Sequence, residues 1–195
     1  MIRGLLIIIL LYAGFICAQD VHFSQFDRTT SLLNPSLIAH QNDDYEIQLQ
    51  RRSQWSSVTR PFNTFSTAFN VKDVYNTLSS GITVLHDVAG DSYFLTNGLS
   101  ISLAKAFNKN QNLFAVGLKA ALYQRSINYD DLVFLQNEFF AVTDFSFFDV
   151  GIGVSNHKII GKKSAILFGF SSFHLNRPKQ SLGLNEQVFL RPKHI

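Results

Sequence analysis

The chain has little of what usually staples, charges or kinks a fold: 195 residues carry one cysteine, four prolines, one methionine and one tryptophan. One cysteine cannot pair within the chain, which excludes a disulfide scaffold. Charged residues make up only 16%, against roughly 25% in ordinary soluble domains. With 46% hydrophobic residues and a net charge of only +3, a disordered chain is excluded too. The pI near 9.0 does not point to nucleic acid, because the basic residues (Arg51-Arg52, Lys162-Lys163, Arg177 to Lys179) are scattered and form no stripe.

Catalytic and cofactor motifs are missing as well. There is no His-Glu-x-x-His, no Gly-x-Ser-x-Gly, no phosphate loop and no Cys-x-x-Cys. The six histidines lie far apart, with none at a metal-binding spacing. Neither an enzyme nor a cofactor nor a metal is expected. His86-Asp87 reads as a strand end meeting a turn rather than a base with its orienter, and Asp43-Asp44 and Asp130-Asp131 as solvated turns rather than calcium loops.

A long apolar run occurs once, at the start. Arg3 supplies a short positive region, Leu5 to Tyr12 an apolar one, and Ala13 to Ala18 leads to a small residue before Gln19, the order of a secretory signal. A retained anchor would need roughly 20 residues to cross hydrocarbon, and Gly4 to Ala18 offers fifteen. Lipidation at Cys17 is opposed by the bulk of Ile16. Cleavage after Ala18 is therefore expected, with residues 1–18 the signal, 19–44 an N-terminal segment and 45–195 the body of the fold.

What the rest of the chain does have is alternation and nineteen phenylalanines. Leu95, Leu99, Ile101 and Leu103 interleave with Thr96, Gly98, Ser100, Ser102 and Ala104. Phe148, Val150, Ile152 and Val154 interleave with Asp149, Gly151, Gly153 and Ser155. Phe114 to Leu122 and Ile166 to Phe170 follow the same period of two, which means strands with one apolar face. With weaker candidates at Tyr45 to Arg52, Phe62 to Val71 and Ser80 to Asp87, seven strands and no helix are predicted, joined by turns that are mostly too short for crossovers. The fold class is all-β and antiparallel.

A soluble sandwich and a membrane barrel both use such strands. Here the second faces are Gly, Ser, Thr and Ala, not the Lys and Glu of a solvated sheet, and the longer strands exceed the roughly 9–11 residues that span a bilayer. An outer-membrane β-barrel is favoured, with the sandwich as the alternative. Leu99, Ile101, Leu103, Val150 and Ile152 are then expected to face lipid, Ser100, Ser102, Gly151 and Gly153 the lumen, and Ser102→Arg to be tolerated far better than Ile101→Arg. The Phe-rich stretch Phe139-Phe140, Phe145, Phe147-Phe148 reads as an interfacial girdle or plain apolar packing rather than a ligand cradle.

Several short stretches stand in a specific order: Gln19-Asp20-Val21-His22-Phe23-Ser24-Gln25-Phe26, then Leu33-Asn34-Pro35-Ser36, Arg51-Arg52-Ser53-Gln54-Trp55, Phe62-Asn63-Thr64-Phe65-Ser66, Phe168-Gly169-Phe170-Ser171, and His174-Leu175-Asn176-Arg177-Pro178. In this order and spacing the chain resembles the PorP/SprF family of Bacteroidetes outer-membrane proteins. Ser36-Leu37 after Asn34-Pro35, and Arg60-Pro61, depart from the family pattern. The resemblance implies a barrel of the type IX secretion and gliding apparatus with no enzymatic activity. It implies as partners membrane lipid, adhesin-like cargo with type B C-terminal signals, and periplasmic components of the machine. Phe23, Ser24, Gln25, Asn34, Pro35, Gln54, Trp55, His174, Leu175, Asn176 and Pro178 are the residues it marks for structure or partner contact. Family chains run longer, so only the N-terminal half of the family barrel is expected here. A seven-stranded cylinder would be too tight to hold a segment carrying Phe23 and Phe26 as well. Two further functions stay open from the residues alone: a barrel passing small or hydrophobic solutes, and a soluble exported binding module.

Overall fold

The computed structural model describes residues 20–57, 60–90, 93–109, 112–128, 144–160, 164–180 and 188–195, so the expected signal at residues 1–18, Asp130-Asp131 and Phe139-Phe140 lie outside the described residues. One antiparallel sheet makes up the fold, in the order β1 (Tyr45–Gln54), β2 (Phe62–Tyr75), β3 (Leu78–Ala89), β4 (Phe94–Lys109), β5 (Asn112–Ser126), β6 (Asp144–Ile160), β7 (Ser164–Phe173) and β8 (Lys193–His194). Each strand pairs antiparallel with the next in sequence, which the short connections require and the two long ones, after β5 and β7, also follow. The sheet is not a sandwich, and no helix among the described residues is long and apolar enough to cross a membrane.

The two faces invert the usual order of a soluble sheet. Leu99, Ile101 and Leu103 are about half exposed, as are Ile82, Val84, Leu118, Leu122 and Phe148. Their alternates Ser100, Ser102, Ala104, Thr83, Ala121 and Asp149 are buried. Register enforces this: Ile82, Ile101 and Ala120 lie abreast in successive strands, and so do Gly81, Ser102 and Lys119. In water such an apolar exterior would exceed what soluble monomers tolerate, whereas hydrocarbon accepts it. The expected facing is therefore observed, with Val150 half-buried and Ile152 exposed opposite buried Gly151 and Gly153. One finer expectation fails. Ser102 is only 1% exposed, so an arginine there has no open lumen to enter and Ser102→Arg cannot be the mild change. Phe147 points inward, stacked on Tyr123 at 5.2 Å, which is apolar packing, the second of the two readings offered for it, and not an outward girdle.

The inner face is filled by the N-terminal segment. A 3-10 turn at Phe26–Arg28, a one-turn helix α1 at Thr30–Leu33 and a second 3-10 turn at Pro35–His40 replace the helix-free segment that the residues suggested. This segment touches all seven long strands. Thr30 accepts from Gln48 of β1, Gln41 from Lys72 of β2, and Ser31 pairs with Thr83 of β3. Ile38 and Ala39 pack with Ala104 and Ala106 of β4 and Ala115 of β5. Ser36 meets Ser155 of β6, and Ser171 of β7 donates to the Leu33 carbonyl. Only a sheet curled round the segment can do this. Phe23 is buried inside, while Phe26 stays 62% exposed, so the steric objection to an internal segment falls away.

The seven predicted strands become eight because Lys193–His194 pairs with Ser172 and Phe173, and Ile195 exchanges both backbone hydrogen bonds with Ser171. β7 thus has a successor. The connection between them is tied by a bridge from Lys179 to Phe189. Among the described residues β1 pairs only with β2, and the sheet is open between β1 and β8.

Candidate functional site on the inner face

The inner face holds two constellations, one above the other along the strands. The lower one, toward the short turns, is a seat built round Asn34. Proline at 35 forces the preceding residue into extended backbone (φ −161°, ψ 119°) and opens the 3-10 turn, and Asn34 caps it. The Asn34 amide is saturated. Its Nδ2 donates to the Val154 and Phe170 carbonyls at 3.1 and 3.2 Å, and its Oδ1 accepts from Ser36 N and Oγ at 2.9 and 2.7 Å. Ser155 Oγ sits 2.6 Å from Ser36 Oγ and 2.8 Å from His40 Nε2. Burial, together with the nearby charges of His157 and Lys72, lowers the His40 pKa to about 4, so the ring is neutral here.

Glycine makes the seat possible. A Cβ on Gly153 would fall on Asn34 Oδ1, and one on Gly117 would fall on the Ser36 backbone nitrogen. One on Gly169 would press on Asn34 Nδ2 at 3.0 Å. Glycine weakens a strand, so three adjacent strands accept it for close approach of the N-terminal segment, the Ser36 backbone at Gly117 and the Asn34 side chain at Gly153 and Gly169.

The upper constellation, toward the longer connections, is a charged chamber. His174 follows β7 with φ 57°. Its Nδ1 lies 2.9 Å from Asp149 Oδ1 and its Nε2 lies 3.0 Å from Asp20 Oδ2. Both ring nitrogens face carboxylates, so both must carry protons: the group is an imidazolium. Burial works against that charge, but the two carboxylates outweigh it and raise the His174 pKa to about 9. Burial likewise opposes ionisation of Asp20, yet the hydrogen bonds from His174 and Lys193 hold its carboxyl well below the usual carboxylate range. Lys193 reaches Asp20 at 3.2 Å, so the first described residue, the sheet and β8 meet at one carboxylate. Lys119, Arg125, Tyr123, Phe147 and Phe173 complete the walls.

A family model for the type IX secretion system membrane protein PorP/SprF matches residues 16–194. The chain belongs to the PorP/SprF family. It is accordingly a membrane component of the type IX secretion system. No curated protein and no solved structure matches the chain.

The PorP/SprF stretches fall in different places. Asn34 and Pro35 are buried in the seat, and Phe23 is buried on the inner face, while Ser24 and Gln25 are exposed. His174 is the centre of the chamber. Leu175 and Asn176 extend the edge of β6 past the end of its pairing with β7: Leu175 N donates to the Val150 carbonyl, Asn176 Nδ2 donates to the Phe148 carbonyl, and Asn176 Oδ1 accepts from Val150 N. Pro178 is buried, and its carbonyl accepts from Leu190 N, holding the returning chain. Gln54 ends β1, and Trp55 follows in the left-handed region at φ 62°, 62% exposed and apart from both constellations. His86 and Asp87 point to opposite faces, His86 to Asn97 and Asp87 to Thr64. Sequence reasoning missed Asp20, Lys119, Arg125, Asp149 and Lys193. The readable signal was charge on the small-residue face, where Lys119 and Asp149 stand alone among Gly, Ser and Ala.

Proposed function

We propose that this chain is an outer-membrane barrel component of the type IX machinery that serves export or surface anchoring of adhesin-like proteins with type B C-terminal signals, including gliding adhesins. In this reading residues 1–18 are a cleaved secretory signal and residues 19–44 plug the barrel interior. Periplasmic components of the machine meet the end bearing the short turns, since bacterial barrels turn briefly on the periplasmic side. The observation that carries the reading is the inverted sheet, apolar outside and curled round its own N-terminal segment, in a chain of this family. An occupied interior suits a scaffold for partners better than a channel for solutes.

The test is deletion of the gene followed by complementation with this chain, reading a type B adhesin at the cell surface and in the medium. Loss on deletion and recovery on complementation are expected, and unchanged adhesin export would overturn the reading. The plug is tested separately by Asn34→Asp, which lacks the two N–H donors and puts charge beside two carbonyls. Protease should then cut within residues 20–44 of the outer-membrane protein, and resistance equal to the parent would count against a plug.

A further inference from the structure

The chamber holds more positive charge than its carboxylates can answer. Among the described residues that line it, Lys119, Arg125, Lys193 and the His174 imidazolium stand against Asp20 and Asp149, while Asp87, two strands away and bonded to Thr64, acts on Arg125 from outside the lining. Both carboxylates are already engaged: Asp149 by His174, Asp20 by His174 and Lys193. Lys119 is 4% exposed and, among the described residues, has no carboxylate within ion-pair distance, so its ammonium leans on the Phe173 ring at 5.4 Å. Arg125 lies over Phe147 at 5.1 Å, and one of its Nη atoms donates to Gln180, but its Nε is buried with no acceptor among the described residues. Aromatic faces compensate a cation only in part, and a buried charge without a counter-ion is strongly disfavoured. Two cations therefore border a cavity with an incomplete set of acceptors.

That cavity has a volume of about 50 Å³, against roughly 10–15 Å³ for one water. It has room for a few atoms beyond a single water, the size of a carboxylate or phosphate group. The guanidinium fork suits the paired oxygens of such a group, and the lysine adds a point charge.

We propose that the chamber is a binding site for one small oxyanion, a carboxylate or a phosphate, held between Lys119 and Arg125. The ligand would neutralise the surplus charge of the two cations that line the cavity. His174 and Lys193, committed to Asp20, set the field at the site without being its grips. The site is independent of the adhesin reading, because nothing in its chemistry invokes cargo.

The experiment uses the mature full chain in detergent micelles, with the 31P line width of inorganic phosphate as readout and chloride holding the ionic strength constant. Broadening that saturates and is reversed by acetate is expected, and acetate without effect on the bound phosphate would restrict the site to phosphate. Lys119→Gln and Arg125→Gln should each weaken phosphate at least tenfold, while Lys109→Gln on an exposed strand end should not. No saturable broadening in the parent protein overturns the proposal whether or not the variants fold. So does broadening of equal affinity in a folded Lys119→Gln/Arg125→Gln protein.

Discussion

The seat and the chamber occupy the same inner face of the same strands, yet they hold the N-terminal segment by opposite physics. The seat is neutral and saturated: the Asn34 amide uses both donors and both acceptor positions, and glycines let two backbones touch. Its strength is fit, which depends on shape and barely on pH or salt. The chamber is ionic and unfinished, with an imidazolium between two carboxylates and two further cations left over. Its strength is charge in a poorly solvated place, where a complete network rigidifies and a broken one costs much. One segment held twice, once by fit and once by charge, can be loosened at one end without being released at the other.

The largest expected effect comes from the chamber. Asp149→Ala leaves the His174 imidazolium buried with half its partners, and removing one member of a buried pair costs about 3–5 kcal/mol. Urea unfolding in lipid vesicles measures it, and a cost below about 1 kcal/mol would show the chamber to be as well solvated as a surface pair. Gly153→Val in the seat comes next. Its new side chain meets Asn34 and Pro35, for an overpacking cost of about 1–3 kcal/mol. The readouts should differ in kind. Gly153→Val should open residues around Asn34 to protease and leave Asp20 tied to His174, whereas Asp149→Ala should do the reverse. Identical cleavage patterns would mean that the two regions form one cooperative unit.

The sheet was legible in the sequence because its code is local: a period of two, written in Leu, Ile and Phe against Ser, Gly and Ala, states both strand and facing. Leu99 to Leu103 shows this best, since every residue falls on the expected side. The seat was half legible. Asn34-Pro35 announces an extended residue and a turn, but nothing local says that Gly117, Gly153 and Gly169, more than 80 residues away, clear the space for it. The chamber was illegible except as stray charges, because Asp20, Asp149, His174 and Lys193 come from four separate parts of the chain. The eighth strand was missed for a related reason: two residues are too few to show any period, and the pairing of Lys193–His194 with β7 is a tertiary fact.

Acid and alkali should separate the two regions, with smaller effects than the substitutions. His40 in the seat has its pKa lowered from the usual 6.5 to about 4, so the folded protein resists a proton that the unfolded chain accepts. Its contribution is intact above pH 6.5 and is lost as the pH falls toward 4. His174 is the opposite case, raised from 6.5 to about 9: its contribution is complete below pH 6.5 and is lost as the pH rises through 9. Unfolding midpoints recorded across this range should therefore fall at both ends. His40→Gln should flatten the acid limb alone, and His174→Gln the alkaline limb alone. A single substitution that flattened both limbs would break the division between seat and chamber.

The smallest effect is expected at the boundary between them. Ser102 is paired across β4 and β5 with Lys119 of the chamber, and across β3 with Gly81, beside which Asn70 lies. Its Oγ is buried and has no hydrogen-bond partner among the described residues. A buried hydroxyl without a partner contributes nothing by its polarity and carries a desolvation cost, so Ser102→Ala should be neutral to slightly stabilising, within about 0.5 kcal/mol. The chamber's ionic network does not reach the hydroxyl, and neither does the hydrogen-bonded chain from Asn34 through Ser36 to Ser155 and His40. A loss above about 1 kcal/mol on Ser102→Ala would mean that the hydroxyl is bonded after all, through a bound water or through Lys119. The two regions would then be one continuous network, and the distinction between holding by fit and holding by charge would fail at the residue where they meet.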